Sequence, residues 1–423
     1  MRLTAIRGTR DLLPEELVRW RAVEETAREV FGRYGYREIR TPLFEATELF
    51  VRGVGAGTDI VEKEMYTFED RGGRSLTLRP EGTAAVVRAC LEHNLFAELP
   101  VLKLYYIGPM YRYERPQAGR YREFWQAGVE AFGSDDPALD AEVILCAYDF
   151  LTGLGLRSLT IHLNSLGDEE RQTYVQALRE YLAPHWDRLP ARDRERFEKN
   201  PLRMLDSKEE ITRALIQEAP QVLDFLSEKS RHHLETVCRL LEREGVPYRV
   251  NPHIVRGLDY YTHTVFEVTA EGLGAQDAVL AGGRYDHLVE EVGGRPTPGV
   301  GFAAGVDRLL LALEAQGVAP EPGPELDLYI AVIGEVRAEA LALATRLRRA
   351  GYRVDLEFLG RSLRAQMKTA HKRNVPLVAL LGEDELREQR ATLRDMRSGE
   401  QRSVSLEELI PAVAQMLSHS NPN

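Results

Sequence analysis

Lysine is scarce in this chain: seven residues of 423, against 48 arginines. Composition leaves open whether that bias reflects coding or a need for bidentate anion contacts. Basic residues are also the minority charge, 55 against 66 acidic, for a net charge of −11. A surface that is basic throughout is therefore excluded, and any nucleic-acid contact must sit on a local patch. The only cysteines, Cys90, Cys146 and Cys238, lie far apart, which excludes a disulfide framework and zinc-ligand spacing. No run approaches the ~18 apolar residues of a membrane span, and the opening MRLTAIRGTRDLLPEE lacks the apolar core of a signal peptide. A cytoplasmic protein without a membrane partner is expected. P-loop lysine, HExxH and GxSxG motifs are all missing, so three common catalytic signatures fall away. His232 and His233, adjacent in a charged helical run, face different directions and do not make a metal pair.

What is present organises the chain into two or three domains, given its length and 43% hydrophobic content. Leu17, Trp20, Val23, Ala27, Val30, Phe31 and Tyr34 recur at helical spacing, with Pro14, Glu15 and Glu16 suited to the helix start. YREIRTP then reads as a strand halted by Pro42. From about 65 to 165, β-like runs (MYTFED, SLTLRP, VLKLYYIGPMYRYE, FWQAGVEAFG, SLTIHLNSLG) alternate with turns and are interrupted by one helix over 82–95. Tight connections with few βαβ alternations favour an α+β fold with an antiparallel sheet. Residues 168–248 are charged, helical and poor in β-branched side chains, a helical insertion between segments 1–167 and 249–320. Three prolines in VAPEPGPELD mark a linker, placed at 321–326. Beyond it, residues 327–423 alternate strand and helix up to a strand-like end, predicting a small α/β domain with a mainly parallel sheet.

The densest chemical signal is Arg112 to Arg122, four arginines in eleven residues between two strand patterns, followed by Phe124, Trp125 and Gln126. Guanidinium forks match phosphate oxygens and an aromatic can stack on a base; a solvated charged hairpin is the bland alternative. In Arg79-Pro80-Glu81-Gly82-Thr83 a strand gives way to a helix, where a carboxylate and a hydroxyl can hold an ammonium or simply form a turn and cap. Arg256-Gly-Leu-Asp-Tyr-Tyr261 places adjacent tyrosines on opposite strand faces, one for the core and one for a ligand. Gly282-Gly-Arg-Tyr-Asp286 follows. The glycines of 299–305 look superficially dinucleotide-binding, but Pro296 and Pro298 precede them and no βαβ unit surrounds them. They read better as a strand abutting a helix, with Arg308 projecting from the helix start toward an anion.

Taken together, these stretches resemble the class II aminoacyl-tRNA synthetases, along nearly the whole chain. Gly35 to Pro42 resembles the first class motif, Arg112 to Phe124 the second and Gly299 to Leu313 the third. RGLDYY (256–261) and AGGRYD (281–286) resemble the signatures of the histidyl-tRNA synthetases. The resemblance implies an antiparallel catalytic sheet flanked by helices, a helical insertion and a C-terminal anticodon-binding α/β domain. It also implies an activity: histidine and ATP condense to an adenylate with release of pyrophosphate, and histidine then moves to the 3′ end of tRNA-His. By motif matching, Arg112 and Arg256 would be catalytic on the α-phosphate, and Arg308 would hold the γ-phosphate. Phe124 would stack on adenine and Glu114 would contact its amino group, with Mg²⁺ on the leaving phosphates. Glu81, Thr83 and Gln126 would take the α-amino group of histidine. Glu130 and Tyr261 would grip the imidazole, with Tyr260 and Tyr285 in the same pocket.

Arg115, Gln117 and Arg122 match positions near the tRNA acceptor end, and Arg361, Arg364, Lys368, Lys372 and Arg373 would face tRNA phosphates. A homodimer is implied through the first motif. Trp125, His263 and Asp307 depart from the family's usual histidine, arginine and glutamate. The rival from another functional class is a synthetase-like regulatory subunit of ATP phosphoribosyltransferase, which is expected to lack the catalytic arginines and the C-terminal domain.

Overall fold

Helical periodicity with Pro14 at the first turn gives the helix Pro14–Arg33, which buries Trp20, Val23, Ala27, Val30 and Phe31. That helix opens a computed structural model describing residues 3–205, 207, 209–255, 258–274, 277–321 and 323–420. The chain divides into two compact units, Met1–Pro320 and Glu321–Asn423.

The first unit is built on an eight-stranded sheet. Its order is Arg37–Glu38, Leu102–Tyr111, Glu123–Phe132, Gly299–Gly305, Ala278–Arg284, Thr264–Ala270, Leu159–Ser165 and Tyr248–Val250. Only the outermost pairings, at either edge, are parallel; the rest are antiparallel, as tight connections between strands require. Leu102–Tyr111 and Glu123–Phe132 pair in full from Leu102 with Phe132 to Tyr111 with Glu123, so residues 112–122 form the connecting loop. One sheet face carries the helices Pro14–Arg33, Pro137–Gly153, Glu228–Arg243 and Val306–Ala315 around a shared core. Phe31 packs there on Tyr105, Phe150 and Phe302 with ring centroids 5.1–5.7 Å apart.

Two local expectations are corrected. The run predicted as β-like to residue 165, with one helix over 82–95, contains a second helix, the 17-residue Pro137–Gly153. PALDAEVILCAYDFLTG is apolar nearly all round because it lies between the sheet and two other helices, so it lacks the polar stripe that betrays a surface helix. Asp136 caps it, accepting from Ala138 N at 2.8 Å. YREIRTP forms only the two-residue strand Arg37–Glu38, ending at the bond from Ile39 N to the Tyr105 carbonyl.

Within 168–248, the helices Arg171–Leu182, Ala191–Lys199 and Glu210–Gln217 gather a core of their own around Tyr174, Leu178, Phe197 and Leu215. The fourth, Glu228–Arg243, turns Leu234, Val237 and Leu241 into the main core instead. Phe44–Ala46, Tyr66–Glu69 and Ser75–Leu78 form a separate three-stranded sheet.

The second unit holds a five-stranded sheet ordered Val354–Leu356, Leu328–Val332, Leu377–Leu381, Arg390–Asp395 and Gln401–Ser405. The first three are parallel, with the helices Arg337–Arg349 and Leu363–Lys372 as crossovers. The last two run antiparallel, so the sheet is mixed where a mainly parallel one was predicted. Asp395 bends the chain there, its carboxylate accepting from Arg397 N and Ser398 N at 2.7 and 2.9 Å. The strand-like end is followed by the helix Leu409–Ser420.

Candidate active site

The strand pair 102–132 and the strands Ala278–Arg284 and Gly299–Gly305 surround a cavity of about 130 Å³, whose lining includes Glu81, Thr83, Arg112, Gln126, Glu130, Tyr260, Tyr261 and Tyr285. Sequence reading scattered these residues over 205 positions; antiparallel pairing brings them together. Glu81 precedes the helix Thr83–Glu92, and its carboxylate accepts from Thr83 N at 2.6 Å and Ala84 N at 2.9 Å, so it faces the positive helix end. Thr83 Oγ1 donates to Glu130 Oε1 at 2.7 Å, and the Tyr285 hydroxyl donates to the other Glu130 oxygen. Opposite Glu130 in register is Gly301. A Cβ there would run into Glu130 Oε2 and stand 2.9 Å from the Tyr285 hydroxyl, so glycine is what lets the carboxylate lie flat on the sheet. Tyr260 lies 4.7 Å from Tyr261 and 5.5 Å from Tyr285, ring centre to ring centre. Gln126 Oε1 is buried without a hydrogen-bond partner among the described residues, an acceptor that a ligand's ammonium would satisfy.

Burial pushes the Glu130 carboxyl up to about 8, with the Glu81 charge adding to the rise and the Tyr285 and Thr83 hydroxyls opposing it. Burial raises Glu81 as well. Since the folded protein holds the Glu130 proton more tightly than the unfolded chain, this group's contribution is complete below the usual carboxylate range and is lost as pH rises toward about 8. Thermal stability without substrate should therefore decline across that window, and Glu130→Gln should flatten the slope. Parallel melting curves for the two proteins from pH 5 to 8 would contradict this.

Beside the cavity, Arg112 Nε donates to the Pro80 carbonyl at 2.8 Å, its guanidinium lies 5.3 Å from the Phe124 ring centre, and Glu114 is 3.8 Å away. Arg120 reaches Glu114 at 3.5 Å. Arg308 Nε donates to the Ala278 carbonyl at 2.7 Å; burial lowers its pKa, and the charge of Arg120 lowers it further. Two guanidiniums near enough to disfavour each other suit a polyanion between them. Arg256, the other arginine singled out from the sequence, lies outside the described residues. Arg115 and Gln117 are exposed on the loop. Arg122 turns inward, 3.8 Å from the Tyr113 ring centre, with Nη1 on the Arg7 carbonyl at 3.2 Å.

Sequence reasoning assigned no role to Arg120 or to Tyr106, which also lines the cavity. Nothing in an arginine-rich loop distinguishes one guanidinium from the next, but Tyr106 was within reach of period-two alternation from Leu104. Of the three departures, Trp125 packs edge-on to Trp20 at 6.1 Å, His263 stacks on His233 at 5.5 Å, and Asp307 pairs with Arg10 at 3.0 Å.

An antiparallel sheet carrying a polar cavity beside Arg112 and Arg308 matches what the resemblance to class II aminoacyl-tRNA synthetases implies. Comparison with known proteins makes the assignment narrower. The family model Histidyl-tRNA synthetase matches residues 8–309, and the family model Anticodon binding domain matches residues 327–416. A Histidine--tRNA ligase from Halothermothrix orenii is 49% identical over 419 residues, covering 99% of this chain and all of the relative. One from a Cyanothece species is 52% identical over 410 residues, 96% of this chain and 95% of the relative. The crystal structure of apo S. aureus histidyl-tRNA synthetase, 37% identical, superimposes with a TM-score of 0.82 over 97% of this chain and all of that one. The chain belongs to the histidyl-tRNA synthetase family.

Proposed function

We propose that the cavity takes L-histidine, its ammonium among Glu81, Thr83 and Gln126 and its imidazole between Glu130 and Tyr261, walled by Tyr260 and Tyr285. ATP lies along Arg112, Glu114, Phe124 and Arg308. The protein is a histidine–tRNA ligase: it condenses histidine with ATP to histidyl-adenylate and pyrophosphate, then transfers histidine to the 3′ end of tRNA-His. The observation that carries the site reading is Glu130, a buried carboxylate whose hydrogen bonds come from hydroxyls and not from a cation. Such a group is matched by an imidazole N–H, and its own partners hold its orientation.

Attack of the histidine carboxylate on the α-phosphate builds negative charge around phosphorus, so the chain's task is to fix cations there in advance. Arg112 does this, braced by the Pro80 carbonyl and the Phe124 ring. Arg256 is assigned the opposite side of the phosphate on sequence grounds, and Arg308 holds the γ-phosphate. Magnesium fits as an ion carried on the phosphates: among the described residues no cluster of three His, Cys, Asp or Glu side chains forms a cage, and Mg²⁺ is ordinarily bound by one or two carboxylates plus phosphate oxygens. Glu267 and Asp277, whose charges reach Arg308, are the carboxylates at hand. Bound there, the ion would neutralise charge on the leaving pyrophosphate.

For tRNA, Arg115, Gln117 and Arg122 mark the acceptor side. On the second unit Arg361 is committed to Glu357 and Arg373 to Asp355, leaving Arg364, Lys368 and Lys372 to face phosphates, near the exposed Phe358 on which a base can stack. We assign residues 1–167 and 249–320 to catalysis, 168–248 to an insertion and 327–423 to the anticodon. The exposed Phe44 and Phe68 on the three-stranded sheet and Leu43 just before it, next to the Gly35–Pro42 motif, suit a two-fold homodimer contact. The compartment is the cytoplasm, where tRNA is charged. Deleting residues 321–423 should leave histidine-dependent ATP–pyrophosphate exchange within about twofold of the intact enzyme, because that unit has a core of its own. It should cut kcat/KM for tRNA charging more than about tenfold. Unchanged charging kinetics would remove the anticodon assignment.

A further inference from the structure

The N-terminal segment makes contacts that neither substrate site explains. Thr9 folds back on Ile6, its amide and hydroxyl both donating to the Ile6 carbonyl at 2.9 and 2.8 Å. The turn needs Gly8 at φ +92°, and a Cβ there would stand 2.7 Å from Arg122 Cδ and 3.0 Å from Pro116 Cγ. The Gly8 carbonyl accepts from Arg122 N at 2.7 Å, and the Arg7 carbonyl from Arg122 Nη1 at 3.2 Å. The turn thus lies against the base of the 112–122 loop.

Two residues on, the segment grips a second element. Arg10 Nη2 donates to Asp307 Oδ1 at 3.0 Å, its other arm pairs with Glu16, and its guanidinium sits 4.7 Å from the Tyr121 ring centre. Asp307 is only 6% exposed and has one oxygen with no hydrogen-bond partner among the described residues, so Arg10 is its main source of compensation. Asp307 immediately precedes Arg308. The loop also touches that helix directly: a Cβ on Gly119 would stand 3.4 Å from Arg308 Cγ and 2.6 Å from Leu311 Cδ1. One short segment therefore binds the loop that carries Arg112 and Glu114 and the helix that carries Arg308.

We propose that Arg7–Arg10 is a strap that holds the 112–122 loop in register with the Arg308 helix, with Arg10 as a positioning residue for ATP. The proposal rests on the reading of Arg112, Glu114 and Arg308 as ATP contacts. Arg10 does not line the cavity; it acts through Asp307 and Tyr121.

Arg10→Ala should raise the KM for ATP in pyrophosphate exchange about tenfold, the factor that 1.4 kcal/mol represents, with the KM for histidine within about twofold. Arg10→Lys should restore part of the loss, and Gly8→Ala, which presses on the strap from its other end, should shift KM in the same direction. Without ATP, tryptic cleavage after Arg120 should be faster in Arg10→Ala than in the parent, with saturating ATP restoring protection; a purely structural role would raise both KM values together. Unchanged ATP KM and unchanged cleavage in both variants, or parallel rises in both KM values, would overturn the strap while Arg308→Ala still raises the ATP KM. If Arg308→Ala leaves that KM unchanged too, the fault lies in the nucleotide assignment, and the proposal falls with it.

Discussion

Replacing Arg112 by alanine should lower the turnover of histidine-dependent pyrophosphate exchange roughly 100- to 1,000-fold, the usual loss when one preorganised charge is withdrawn from a transition state. Histidine affinity should move less than about threefold, because the guanidinium's interaction grows only as phosphorus acquires charge. The geometry supports this division. Nε is spent on the Pro80 carbonyl and the guanidinium lies near the Phe124 ring, so the two outer nitrogens are held as a rigid fork for the proposed phosphate contact. Arg112→Lys should recover little, since an ammonium cannot make the Pro80 bond and the phosphate contact in the same plane. Equal losses in histidine binding and turnover, by calorimetry and exchange kinetics, would show Arg112 to be a binding or packing residue.

At the other end of the cavity, and above about pH 8, where Glu130 is ionised, Glu130→Gln should raise the KM for histidine about 10- to 100-fold, the equivalent of one charge-assisted hydrogen bond of about 1.5–3 kcal/mol. Glu130→Ala should cost more, because it also strands the Thr83 and Tyr285 hydroxyls that now donate to the carboxylate. The KM for ATP should stay put in both. Discrimination against amino acids lacking an imidazole should narrow, as the pocket's selectivity comes from buried polar groups that only the right substrate satisfies. A histidine KM unaffected by Glu130→Gln would move imidazole recognition elsewhere in the cavity.

Much of this arrangement was legible from local pattern. The amphipathic helix after Pro14, the strand pair flanking the arginine-rich loop and the division near residue 320 all follow from periodicity and proline placement. What escaped has physical causes. The helix Pro137–Gly153 is buried on several sides and so carries no amphipathic signal. Its Asp140 then forms a fully buried ion pair with Arg284, Nε to Oδ1 at 3.0 Å, and accepts from His233 Nε2 at 2.7 Å. In AGGRYD the sequence sets arginine and tyrosine side by side. The end of the strand separates them: Tyr285 turns to Glu130 and Arg284 turns to Asp140. Cross-strand neighbours such as Gly301 and Glu130 lie 171 positions apart, and no single-sequence pattern links them. The strap from Arg7 to Arg10 was missed for a similar reason, since Arg10 meets Asp307 across nearly 300 residues.

If this cavity and its arginines activate histidine, ATP–pyrophosphate exchange with the purified protein, measured one amino acid at a time, should occur with histidine and with no other amino acid. Histidine binding without exchange would contradict it, leaving a histidine sensor on a synthetase fold and no catalytic role for Arg112, Arg256 or Arg308.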